Sequence, residues 1–225
     1  MKEFIIFFLI LLLLQVSVYN PTDELFLSFE FLVQGSSFDT FHGGRYLSLY
    51  NLLFNTGMFI LFISMICSRI SKNFCLYLYI ITRGSEAVFK KILIRNTLCE
   101  ILKVIFAKLL IYVLFFFFEQ NIIRFILYDL VSTFLTLTMF SLVFILFKLN
   151  GVNEKILLFI LISGNMTAQI LSFEVGWFSI IIIASIHWWE NPFVVIMVKL
   201  SIILLLAFIL FFKKSVNQML GVKEQ

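Results

Sequence analysis

Six apolar runs govern what this chain can fold into. They occupy residues 4–19, 49–67, 102–118, 125–147, 156–173 and 193–212. An apolar run of about 18 residues or more reads as a membrane-spanning helix, because lipid offers the backbone no hydrogen-bond partner and a helix satisfies its own. Composition points the same way. Of the 225 residues, 62% are hydrophobic and 13% charged, the latter about half the share of a soluble domain. The expected fold is therefore all-α: one polytopic membrane domain over residues 1–225 with six transmembrane helices. Lys2 ahead of the first run also fits a signal peptide, but "VSVYNP" offers no small-x-small cleavage site, so an uncleaved span is expected. Residues 175–186, "VGWFSIIIIASI", are too short to span. They predict a re-entrant or interfacial segment between the fifth and sixth spans.

Orientation follows from counting Lys and Arg. With the N-terminus inside, the inner segments hold Lys2, Arg69, Lys72, Arg83, Lys90, Lys91, Arg95, Lys148, Lys155, Lys213, Lys214 and Lys223. The outer segments hold only Arg45 and Arg124. Both termini are thus expected in the cytosol, with an outer loop over 20–48 and a cytosolic loop over 68–101. The net charge of +4 is the trace of these inner loops rather than of a nucleic-acid surface. Cys67, Cys75 and Cys99 form no CxxC pair and read as apolar packing residues near the reducing side.

The cytosolic loop contains "TRGSEAVFKKILIRN", residues 82–96. Ser85 can cap a helix whose first turn carries Glu86, and Lys90, Lys91 and Arg95 fall toward its C-terminal half, as the dipole prefers. Val88, Phe89 and Ile92 give it an apolar side. The spacing predicts a short basic amphipathic helix that ends near Asn96–Thr97, before the third span. It suits either anionic headgroups or a cytosolic protein partner.

The motifs of catalysis are missing from these residues. There is no G-x-x-x-x-G-K-[ST] phosphate loop, no G-x-S-x-G and no H-E-x-x-H. His187 and Glu190 alone make no metal site, and no enzyme activity or bound cofactor is expected of this chain. The polar residues inside the spans carry more information. Asp129 and Lys199 lie at similar depth in the fourth and sixth spans and could pair; intramembrane charges are costly and mark function by default. Ser132, Thr133, Thr136 and Thr138, with Asn165, Thr167 and Gln169, could line a path or hydrogen-bond neighbouring helices. Trp177, Trp188 and Trp189 read as an outer aromatic belt.

Six spans with both ends inside, the basic "TRGSEAVFKKILIRN" between spans two and three, and a non-spanning "EVGWFSIIIIASIHWWENP" between spans five and six form a familiar arrangement. The chain resembles the permease subunit of a type-2-superfamily ABC exporter, most closely the small peptide and bacteriocin-immunity exporter permeases of Gram-positive bacteria. The resemblance covers nearly the whole chain and rests on architecture. It implies a multi-pass protein of the bacterial cell membrane that pairs with a second permease copy or paralogue. A separate cytosolic ABC ATPase would bind the ATP and magnesium, and an amphipathic or peptidic substrate would be exported. Arg83, Ser85, Glu86, Phe89, Lys90 and Lys91 would then form the coupling helix, with Phe89 filling an ATPase groove. The alternatives are a non-transporting immunity or assembly protein and the substrate-binding subunit of an importer. The latter commonly carries A-x-x-x-A in its first span, and "FIIFFLILLLLQ" has no Ala.

Overall fold

The computed structural model describes residues 2–18, 38–41, 44–47, 49–76, 86–116, 123–172, 175–182 and 192–212. Among them are six α-helices: α1 (Lys2–Val18), α2 (Leu49–Cys75), α3 (Glu86–Phe116), α4 (Ile123–Leu149), α5 (Glu154–Leu171) and α6 (Pro192–Phe212). A 3₁₀ helix, η1 (Gly176–Ile181), lies between α5 and α6. Strands β1 (Phe38–Phe41) and β2 (Gly44–Leu47) pair antiparallel, Phe38 opposite Leu47, so the expected outer loop holds a small hairpin beside the all-helical body.

Four helices are long and apolar enough to cross a membrane: Asn55–Cys75 within α2, Ile126–Leu149 within α4, α5, and Phe193–Phe212 within α6. They point to a membrane location. Pro192 opens α6, where its missing N–H costs nothing. At six residues, η1 spans about 12 Å at the 3₁₀ rise, far short of a bilayer.

Helix α3 corrects the expected layout. The basic segment is not a separate helix ending near Asn96–Thr97; it is the start of one 31-residue helix running from Glu86 to Phe116. No Gly or Pro interrupts it. The polar pair that resembles a stop is satisfied in place. Thr97 Oγ1 donates to the Leu93 carbonyl at 2.8 Å, and Asn96 Nδ2 donates across to Asn73 Oδ1 on α2 at 3.1 Å. Helix α2 likewise runs eight residues beyond the expected end at Cys67. Arg83 and Ser85 lie outside the described residues, as do Trp188 and Trp189.

Helices α2, α3 and α4 pack on one another; α1 lies on α3, α5 on α2 and α4, and α6 mainly on α4. Their shared core includes Phe59, Phe62, Ile63, Ile66, Leu93, Ile101, Val104, Phe144 and Ile145, all fully buried. Helix association in lipid gains little from the hydrophobic effect, so close packing and polar contacts hold it. Near the basic end, α2 and α3 are clasped by Asn73–Asn96, by Arg69 Nε at 3.6 Å from Glu100 Oε1, and by Phe74 against Phe89 with ring centroids 5.6 Å apart.

The turn between α4 and α5 is read directly from "LNGVNE". Gly151 takes φ +79°, its N–H reaches the Lys148 carbonyl, and the Val152 N–H reaches back to the Phe147 carbonyl. This is the paired closure of a helix end that favours glycine. Asn153 then caps α5 by accepting from the Lys155 N–H at 2.9 Å. Gly151→Ala is expected to lower stability by about 1–2 kcal/mol through the left-handed backbone. Gly164→Ala, mid-helix in open space, should raise it by up to about 1 kcal/mol. Thermal unfolding in detergent checks both signs.

Candidate functional site

The polar residues of the apolar helices converge at one end of the bundle. Lys108 and Tyr112 lie in the last third of α3, Asp129 near the start of α4, and Lys199 eight residues into α6. All four are about 1% exposed. At 1.5 Å per residue, Asp129 and Lys199 sit roughly 9–11 Å along their helices. The spacing explains the convergence. Asp129, Ser132, Thr133 and Thr136 follow an i, i+3, i+4, i+7 pattern, which is one face of α4; Lys108 and Tyr112 are i, i+4 on α3.

Asp129 pairs with Lys108 rather than with Lys199, the partner that similar depth in the spans makes possible. Lys108 Nζ lies 2.6 Å from Asp129 Oδ2 and also donates to Thr133 Oγ1 at 3.2 Å. The Tyr112 hydroxyl donates to the same Oδ2 at 2.5 Å. The Lys108 ammonium stands 5.8 Å from the Tyr112 ring centre, within cation–π range. Asp129 Oδ1 is buried without a hydrogen-bond partner.

Lys199 is held by neutral oxygens. Its Nζ donates to Ser132 Oγ at 2.7 Å, Thr136 Oγ1 at 2.8 Å and the Ile182 carbonyl at 3.1 Å. Three acceptors match the three hydrogens of an ammonium group. Ile182 immediately follows η1, so the non-spanning segment is tied into the cluster. A second polar group adjoins it. Gln169 Nε2 donates to Asn165 Oδ1 at 2.8 Å and to Thr56 Oγ1 at 3.5 Å, and Asn165 Nδ2 reaches the Ile181 carbonyl at 3.5 Å. A polar seam thus links α2, α3, α4, α5 and α6 through the Ile181 and Ile182 carbonyls at the end of η1. Thr138 turns back to its own helix, and Thr167 faces outward.

Two ammonium groups against one carboxylate leave one formal positive charge over. Burying a charge without a partner costs several kcal/mol even after relaxation, so this seam is an expensive structure for an apolar bundle to keep. Lys108 and Tyr112 were missed as site residues. The signal was available in their i, i+4 spacing and in a Lys placed as deep in its helix as Asp129 and Lys199 are in theirs.

The opposite end is basic. Lys91 and Arg95 are exposed there, with Arg69, Lys72 and Lys155. Phe89 is only 1% exposed, and Lys90 is nearly buried with its Nζ 2.9 Å from Glu86 Oε1. Phe89, the side chain expected to fill a partner's groove, therefore packs against α2, and the outward face is Val88, Lys91 and Arg95. Trp177 on η1 is 59% exposed. Among the described residues no three His, Cys, Asp or Glu side chains gather to hold a metal. No protein-family model matches the chain, and it matches no curated protein and no solved structure.

Removing one partner of the buried pair should cost more than removing both. Asp129→Asn or Lys108→Met alone is expected to destabilise by about 3–5 kcal/mol. The Lys108→Met/Asp129→Leu double variant should recover part of that loss in detergent melts.

Proposed function

We propose that this chain is the membrane-spanning permease subunit of an ATP-driven ABC exporter in the cell membrane of a Gram-positive bacterium. Its six helices cross the bilayer alternately, both termini and the basic end face the cytosol, and the ionic cluster lies toward the outside. A second permease copy or paralogue completes the pathway, and a separate ATPase supplies the energy. The substrate is amphipathic or peptidic.

The observation that carries this reading is the continuity of α3. One helix holds both the basic start, with Lys91 and Arg95, and Lys108 and Tyr112 of the ionic cluster. From Glu86 to Lys108 that is about 33 Å of rigid rod. A push on its cytosolic end reaches the ion pair without crossing a flexible joint. The excess of Lys and Arg at that end supports the orientation, and buried intramembrane charge supports a transport role. The coupling surface becomes Val88, Lys91 and Arg95, with Phe89 transmitting force to α2 through Phe74.

The ion pair sets what moves together. Separating Lys108 from Asp129 in an apolar interior is costly, so α3 carries α4 with it. Lys199 holds α6 to α4 through neutral acceptors, which cost less to exchange. Rearrangement therefore falls between the α3–α4 pair and α6.

Full-length protein purified from its own host's membranes should bring with it an ATPase that lacks membrane spans. Lys91→Glu/Arg95→Glu should remain folded in the membrane, lose that partner, and drop substrate-stimulated ATP hydrolysis at least about tenfold, since each reversed charge contact is worth about 1 kcal/mol. A chain that purifies alone, or a variant with undiminished coupling, contradicts the proposal and favours a non-transporting membrane protein.

A further inference from the structure

We infer that Lys199 is a two-position latch for the segment around η1: seated here on Ser132, Thr136 and the Ile182 carbonyl, with a second seat at the open Oδ1 of Asp129. Three observations carry it. First, Asp129 is saturated on one oxygen and empty on the other: Oδ2 takes Lys108 and Tyr112, while Oδ1 has no hydrogen-bond partner. A buried carboxylate oxygen without a donor is costly, more so than a neutral acceptor would be. Second, all three present acceptors of Lys199 are neutral oxygens, so the carboxylate of Asp129 is a stronger partner for its amino group than any it now holds. Third, the two seats are close. Ser132 lies one helical turn beyond Asp129 on the same face of α4, and the Lys side chain is long and flexible.

Neither seat satisfies every group at once. In the present seat Lys199 satisfies the Ile182 carbonyl and leaves Asp129 Oδ1 open. In the second it pairs with the carboxylate and gives up Ile182. The Ile182 carbonyl then retains only the Thr136 hydroxyl at 3.4 Å, a weak bond that Thr136 shares with its stronger 2.8 Å bond to the Ser132 carbonyl. The neighbouring hold, Asn165 on the Ile181 carbonyl at 3.5 Å, is weak as well. Among the described residues Lys199, at 3.1 Å, therefore makes the strongest of the side-chain bonds that hold the Ile181 and Ile182 carbonyls on the bundle. Moving it exchanges the docking of the segment for an ion pair in the core. The segment is built for such an exchange: Ile180 and Ile182 face inward at 7% and 8% exposed, while Trp177 and Phe178 face outward. As an outer gate the latch rests on the transport reading above; as a contact it does not, and the test below needs no transport.

The experiment uses full-length protein, its three cysteines replaced, in lipid vesicles. Ile180→Cys is labelled with a membrane-impermeant maleimide, and Leu161→Cys, buried on α5, reports general loosening. The native sequence at the latch should label Ile180→Cys slowly. Lys199→Met, and separately Ser132→Ala/Thr136→Val, should each label about tenfold faster or more, because a hydrogen bond to a charged group is worth about 1.5–3 kcal/mol. The Ser132→Ala/Thr136→Val pair leaves every charge in place, so it reports the latch even if Lys199→Met fails to fold. The Lys108→Met/Asp129→Leu double variant, which removes the second seat without stranding a buried charge, should lower the Ile180→Cys rate relative to that at Leu161→Cys. Unchanged Ile180→Cys rates in Lys199→Met and Ser132→Ala/Thr136→Val overturn the latch. So does an equal rise at Leu161→Cys, since Lys199 would then hold the whole bundle. An Ile180→Cys rate in the double variant that, relative to Leu161→Cys, is at or above the native ratio overturns the second seat.

Discussion

Three ionisable side chains buried in an apolar bundle are the constraint on which this structure turns. Lys108, Asp129 and Lys199 lie on three different helices and are almost wholly out of contact with the surface. Their placement fixes the packing order of α3, α4 and α6 more firmly than the apolar core can. Leu and Phe are as comfortable against lipid as against each other, whereas a buried charge has few acceptable partners. The hydroxyl stripe of α4 exists in this light to serve two lysines. Thr133 takes Lys108, and Ser132 and Thr136 take Lys199. The Ile182 carbonyl, just after η1, completes the set, which explains how a segment too short to cross a bilayer is held against helices that can.

Much of this was legible in the sequence, and the part that was not has a physical reason. The apolar runs located α4, α5 and α6 to within about two residues at each end, because a switch from apolar to polar residues coincides with the helix ends there. The polar line on α4 and the Asn165–Gln169 pair on α5 were visible as well, as were Asp129 and Lys199. Their partners were not, because pairing depends on which helices are neighbours. At equal depth, Lys108 and Lys199 are equivalent candidates for Asp129 until the packing of α3 on α4 is known. The continuity of α3 was also hidden. Asn96–Thr97 reads as a stop when its side chains are assumed to compete with the helix, yet Thr97 bonds its own preceding turn and Asn96 bonds Asn73. The face of the basic segment was misjudged for the same cause. Phe89 looked available for a partner only because Phe74, fifteen residues back on the extended α2, was not expected to cover it.

The proposed mechanism follows from an ordering of bond strengths. The Lys108–Asp129 pair binds α3 to α4 most tightly, the neutral acceptors of Lys199 bind α6 less tightly, and the amide contacts to the η1 segment are weakest. A displacement entering at Lys91 and Arg95 would travel the length of α3 before it met a contact able to yield. The same ordering separates what a substitution does to folding from what it does to function. Changes at the ion pair are felt throughout the bundle, and changes at Lys199 are felt at its edge.

The transport reading requires the basic end and the ionic cluster to face opposite sides of one membrane. The direct measurement is side-specific labelling of single cysteines in right-side-out vesicles. Lys155→Cys, exposed beside the α4–α5 turn, should react only after the membrane is permeabilised, and Trp177→Cys, exposed on η1, should react without permeabilisation. Labelling of both from the same side, or of Lys155→Cys alone from the outside, would contradict the account.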